Sequence, residues 1–115
     1  MKREARPLTP AEFEVLLALA DGDKHGYAIL KAIARGSETL TLGPATLYTI
    51  IRRFLDGGLI AESAQRPDPA LDDERRRYYR LTEAGRATAR AEADRMESVL
   101  AAARTKNLLR RPRRA

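Results

Sequence analysis

The chain has no cysteine and a single histidine, His25, in 115 residues. Without a thiol there can be no disulfide, no thiolate nucleophile and no thiolate metal site, and one imidazole cannot assemble a histidine cluster. No metal or other cofactor is therefore expected. Nothing resembles a nucleophile–base pair or a phosphate-cradling glycine loop, so no enzymatic activity is expected either. Tryptophan is absent and aromatics make up only 5% of the residues; the core has to be built from Leu, Ile, Val and Ala. No apolar run approaches the roughly 20 residues that span a bilayer. The opening "MKREARPLTPAEF" is basic but leads into no apolar segment of the kind found in signal peptides. These absences predict a soluble, cytoplasmic protein with no membrane partner.

What the chain has is charge. Charged residues make up 33% of it, the formal net charge is +6 and the isoelectric point is near 10.2. A balance of that kind favours a polyanionic partner, either nucleic acid or an anionic membrane surface. Arginine far outnumbers lysine, which suits bidentate contacts to phosphate, although a coding bias toward arginine would look the same. The length fits one domain with a modest core.

Along the chain, "LTPAEFEVLLALADGD" opens with Thr9 as a cap, Pro10 in the first helical position and Glu12 completing the capping box. Phe13, Leu16, Leu17 and Ala20 are spaced to form one apolar face. "KHGYAILKAIARGSE" predicts a second helix with Tyr27, Leu30 and Ile33, joined by Ile29 and Ala34, available to pack inward, and Gly36 as its stop. Leu40 and Leu42 are candidates for a brief strand. Pro44 then opens a third helix in which Leu47, Ile51 and Phe54 share a face, closed by Gly57-Gly58.

"LIAES" and "RRRYYRL" read as two strands joined by the loop "AQRPDPALDDE". In the second strand Tyr79 and Leu81 alternate with Tyr78 and Arg80, the period of a half-buried ladder. Three short helices followed by a hairpin predict a mainly α protein with a small β-hairpin, in the order of a winged helix-turn-helix, over residues 1–81. One long helix is expected from about Glu83 to Leu109 (residues 82–109 as a unit), with Ala89, Ala93, Met96, Leu100 and Ala103 in a 4-3-4-3 stripe. At 1.5 Å per residue it would run roughly 40 Å, further than so small a domain covers. The stripe either folds back on the first helix or pairs two subunits, and pairing is the favoured reading. The tail 110–115, "RRPRRA", is broken by Pro112 and expected to be disordered.

Two surfaces could meet a polyanion. With Leu47, Ile51 and Phe54 turned inward, the third helix displays Ala45, Thr49, Arg52 and Arg53, flanked by Thr46 and Tyr48, with no acid before Asp56. Short side chains and hydroxyls near a helix N-terminus let it approach base edges and phosphates, and a guanidinium can read guanine. A plain solvated helix face would need only the polarity. The cluster Arg75, Arg76 and Arg77 lies at the outer end of the second strand, where neighbouring phosphates would relieve its self-repulsion; alternatively Asp72, Asp73 and Glu74 neutralise it. His25 and Tyr27, at the start of the second helix, could donate to a phosphate or simply cap and pack.

The segments "DKHGYAI", "LGPATLYTIIRRFLDGGLI" and "RRRYYRLTEAGR" resemble, in order and spacing, the signature segments of PadR-type transcriptional regulators. The likeness covers roughly residues 9 to 100, and the single last helix resembles the smaller subfamily. It implies a winged-helix homodimer that represses by binding palindromic double-stranded DNA, with a small-molecule effector able to release it. Carried over, Thr46, Tyr48, Thr49 and Arg52 are recognition-helix positions, Arg75, Arg76 and Arg77 belong to the wing, and the last helix pairs the subunits. Ala45 stands where the family usually has Gly, and Phe54 where it has Leu. Some short members stack planar drugs on a tryptophan of the last helix, and that route lacks its residue here. The competing expectation is a winged-helix dimer that meets an acidic protein through its basic surface.

Overall fold

A computed structural model describes residues 7–36, 40–63 and 77–110. The elements run α1 (Pro10–Ala18), β1 (Lys24–His25), α2 (Gly26–Gly36), α3 (Pro44–Asp56), β2 (Ile60–Glu62), β3 (Tyr78–Leu81) and α4 (Glu83–Thr105). Among the described residues, four helices and a small antiparallel sheet make a mainly α winged-helix architecture with a long C-terminal helix.

The capping box forms as the sequence predicts. Thr9 accepts the Glu12 amide through its hydroxyl at 3.1 Å, and Glu12 accepts the Thr9 amide at 2.9 Å. The buried face of α1, however, is not the expected one. Val15, Leu16, Ala18 and Glu12 are buried, followed by Leu19 just past the helix, whereas Leu17 is 51% exposed and Phe13 and Ala20 only half-buried. Glu12 turns inward because its second carboxylate oxygen accepts from Arg53 Nη1 on α3. That pairing fixes the rotation of the helix. The C-terminal carbonyls of α1 are met by cations, as helix ends favour: Lys24 Nζ donates to Ala18 O at 2.7 Å and Arg86 Nη2 to Ala20 O at 3.2 Å.

Ile29 and Ile33 carry α2 into the core, while Tyr27 (62% exposed) and Ala34 face outward, against expectation. Leu40 and Leu42 pack on the core from irregular backbone and form no strand. Leu47, Ile50, Ile51 and Phe54 bury one face of α3. Among the described residues the sheet has three strands rather than two, in the order β1-β3-β2. Lys24 and His25 pair with Tyr79 and Tyr78, and Ile60, Ala61 and Glu62 pair with Leu81, Arg80 and Tyr79. Tyr79 is buried and Arg80 exposed, as the alternation predicts.

Thr82 starts α4 by accepting the Gly85 amide at 3.0 Å, and its hydroxyl also meets the Gly58 and Leu59 carbonyls at 2.7 and 2.9 Å. The helix ends at Thr105, short of the expected Leu109, because Asn107 takes a left-handed φ of 64° and the Leu108 amide turns back to Ala103 O. That reversal satisfies carbonyls a longer helix would have used. No helix among the described residues is long and apolar enough to cross a membrane.

Candidate nucleic-acid interface

Gly43 precedes α3 and offers no side-chain cap, so the first-turn N–H groups have no side-chain acceptor there. Pro44 in the first turn fixes the helical φ. Thr46, Thr49 and Arg52 are exposed on this helix, and no acid accompanies them before Asp56. Thr49 donates its hydroxyl proton to Ala45 O at 3.0 Å; in that rotamer it offers an outside partner only lone pairs. Arg53, read from the sequence as a companion of Arg52, is committed elsewhere. Its guanidinium pairs at 2.5 Å with Glu12, whose side chain is 2% exposed, and a buried carboxylate of that kind requires its cation. Arg52 is thus the guanidinium of α3 best placed for an outside partner.

Tyr48 is half-buried rather than displayed. Its ring lies so close to Gly26 that a Cβ there would stand 2.2 Å from the phenol oxygen. The contact brings the N-terminal half of α3 against the start of α2. There His25 Nδ1 accepts the Ala28 amide at 3.1 Å and closes the first turn of α2. The imidazole is parallel to the Tyr27 ring at 6.4 Å and meets Tyr78 of β3 edge-on at 5.2 Å, while Lys31 Nζ stands 5.2 Å from the centre of the exposed Tyr27 ring. His25, Tyr27, Tyr48 and Tyr78 thereby join four elements, β1, α2, α3 and β3. Arg77, at the foot of β3, donates to Glu62 at 3.0 Å across the strands. Both side chains are substantially exposed, so the pair is weak and exchangeable. Arg75, Arg76 and the acids at 72–74 lie outside the described residues.

The stripe on α4 divides. Ala89 packs against the domain's own core, Ala103 is half-buried, and Ala93, Met96 and Leu100 are exposed. Val99, which the heptad spacing skips, is 54% exposed beside them. Glu92, buried on the same helix, accepts both Nε and Nη2 of Arg95; that hydrogen bonding, reinforced by the Leu8 backbone, holds its carboxyl below the ordinary carboxylate value against the opposing cost of burial.

The basic balance proves to be a property of the ends. Residues 7–109 hold fifteen basic and fifteen acidic residues, so the +6 comes from residues 2–6 and from the four arginines at 110–114. Any attraction of residues 7–109 for a polyanion must therefore come from where their charges stand, which puts the weight on the acid-free face around Arg52.

Among the described residues no group of His, Asp and Glu could hold a metal ion. A helix-turn-helix with a strand-borne wing packed against it, followed by a helix that outruns the core, defines a winged-helix protein. The profile of the PadR-like transcriptional regulator family matches residues 15–91, and the chain belongs to that family. It is 41% identical over 86 residues to a 37.1 kDa protein of a Streptomyces fradiae transposon, a stretch covering 75% of this chain and 23% of that relative. The chain thus spans about a quarter of that relative's length.

Among solved structures, a PadR-family regulator from Clostridium difficile superposes with a TM-score of 0.69 at 22% identity, over 82% of this chain and 94% of that one. BpsR of Bordetella bronchiseptica, whose DNA binding is regulated by 6-hydroxynicotinic acid, gives 0.63 at 32% identity, over 83% and 64%. Bacillus subtilis PadR, solved with operator DNA, gives 0.62 at 18% identity, over 72% and 47%. At 22% and 18% identity the first and last speak to the fold.

Proposed function

We propose that this protein is a sequence-specific DNA-binding repressor that occupies a palindromic operator as a homodimer in the cytoplasm. The observation that carries the reading is the junction at Gly26, where an acid-free α3 face, the start of α2 and the wing strand come together as one surface. α3 enters the major groove, with Arg52 reading a base edge and Thr46, Tyr48 and Thr49 contacting bases or backbone beside it. Tyr27 and His25 face the phosphates next to the start of α2, and Arg75, Arg76 and Arg77 flank the site from the wing. The pair between Arg77 and Glu62 is exposed enough to exchange its carboxylate for a phosphate.

Ala89, Ala93, Met96, Leu100 and Ala103 form the subunit seam, in which the exposed apolar side chains of α4 find cover. Residues 1–81 then act as the reading head, 82–109 as the pairing helix and 110–115 as a basic tail. Release by a small molecule is part of the proposal, supported by the behaviour named for BpsR.

The test is a mobility shift on the protein's own promoter fragment over a salt series. The logarithm of the association constant should fall with a slope near −0.9 per neutralised phosphate, and unrelated duplexes should bind far more weakly. Equal affinity for promoter and unrelated duplex would defeat the repressor reading and leave an acidic protein as the partner of the basic surface.

A further inference from the structure

His25 takes part in three structures at once. Its Nδ1 accepts the Ala28 amide, its backbone pairs with Tyr78 in the ladder between β1 and β3, and its ring meets the Tyr78 ring edge-on at 5.2 Å. The next residue, Gly26, is the one against which Tyr48 of α3 packs. Two adjacent residues, His25 on the wing-strand side and Gly26 on the α3 side, therefore stand between the wing strand and the recognition helix. The ladder it belongs to is only two residue pairs long, and so short a ladder defines the angle of a strand poorly by hydrogen bonds alone. An edge-to-face aromatic contact adds a directional constraint.

We infer that His25 is a positioning residue: its ring, acting through Tyr78, fixes the wing in register with the recognition helix, separately from its role in capping α2. The inference rests on the DNA-binding reading for its consequence, not for its geometry. The neutral imidazole does both jobs because Nδ1 accepts while the ring carbons and π-face remain for Tyr78 and Tyr27. A wing held at the wrong angle lifts Arg77 away from the backbone. Base reading by α3 is left as it was.

Two substitutions separate the roles. His25→Asn keeps a side-chain oxygen of the strongest capping class but removes the ring, whereas His25→Phe keeps a ring and removes the acceptor. In His25→Asn, melting should stay within about 2 °C of wild type. Promoter affinity should fall by about tenfold, and the salt slope should shrink by about one to two per subunit. Discrimination between promoter and unrelated duplex should persist. His25→Phe should melt several degrees lower while the wing strand keeps its wild-type protection from hydrogen exchange.

Hydrogen exchange supplies a readout without DNA. Amides of β1 and β3 should exchange at least about tenfold faster in His25→Asn but not in His25→Phe, while the Ala28 amide should do the reverse. If the wild-type protein fails to bind its promoter, the DNA-binding reading falls and the exchange pattern still decides the positioning role. Wild-type slope and strand protection in His25→Asn, or equal loss of both in the two variants, would overturn the inference.

Discussion

Replacing glycine by alanine inside a helix ordinarily stabilises it, by up to about 1 kcal/mol. At Gly85 the opposite is expected. An added Cβ would lie 2.0 Å from the Leu59 carbonyl oxygen, 2.9 Å from its carbon and 2.8 Å from Leu81 Cδ1. The Leu81 methyl can move, but the Leu59 carbonyl is backbone, fixed by the turn that leads into β2. Relief needs roughly an ångström of separation between that turn and the first turn of α4. The two are joined by Thr82 N to Leu59 O at 3.1 Å and by the Thr82 hydroxyl to Gly58 O and Leu59 O at 2.7 and 2.9 Å. Stretching these contacts past hydrogen-bonding range costs about 0.5–1.5 kcal/mol each. After the gain in helix propensity, the net loss comes to about 1–3 kcal/mol. For a domain of this size that lowers the melting temperature by about 10 °C. Thermal unfolding of both proteins, followed by circular dichroism at equal concentration, measures it. A Gly85→Ala protein that melts within about 2 °C of wild type, or higher, would refute the idea that α4 is locked to the winged domain at this turn.

Arg52→Ala should weaken promoter binding by about 1–3 kcal/mol and relax preference at one base pair; a lower salt slope with specificity intact would make Arg52 a phosphate contact instead. Changing Arg75, Arg76 and Arg77 together to Ala should lower affinity for every duplex and flatten the salt dependence, measured by mobility shift, with little effect on melting because the Arg77 pair is exposed. Leu100→Asp, at a position 44% exposed, should sediment as a monomer and lose promoter binding; a dimeric variant would place the seam elsewhere. Glu92 is held below its ordinary value of 4.5 by Arg95, so the pair adds stability above that pH and loses it as pH falls through the lowered value. Glu92→Gln should accordingly shallow the decline in melting temperature below about pH 4.5, and an unchanged acid limb would show that the pair contributes nothing.

Much of this was legible in the residues. The capping box at Thr9 and Glu12, the inward face of α3 and the alternation of Tyr78 to Leu81 are local patterns, and each specifies its element without distant help. What escaped depends on contacts far along the chain. β1 is two residues long and carries no pattern; it is a strand only because Tyr78 and Tyr79, more than fifty positions later, pair with it. Hydrophobicity alone turned Leu17 inward on α1, whereas the folded helix buries Glu12, since a carboxylate with a guanidinium waiting 41 residues away can enter a core. The same pairing engages the guanidinium of Arg53, which stays 51% exposed on α3. Tyr27 looked like core by its spacing and lies outside, stacked with His25 and under Lys31. The residues proposed to face DNA were nominated one by one, but the contact of Tyr48 on Gly26 leaves no trace in either segment alone.

The base of the wing has a consequence for how the protein can change over generations. The chain leaves the sheet at Ser63 and returns at Arg77. That exit is tied shut by Ser63 N to Tyr78 O at 2.7 Å, by the Ser63 hydroxyl on Asp23 at 2.7 Å and by Arg77 on Glu62. A neck closed in this way isolates whatever lies between from the folding of the rest. Doubling the length of a connection costs only about 0.6 kcal/mol in closure, so the sequence between Ser63 and Arg77 can be exchanged, extended or recharged while the sheet and α3 stay as they are. Under the proposed DNA-binding function, related proteins could diverge in the sequences flanking their sites by rewriting this one segment, leaving α3 to diverge on its own schedule.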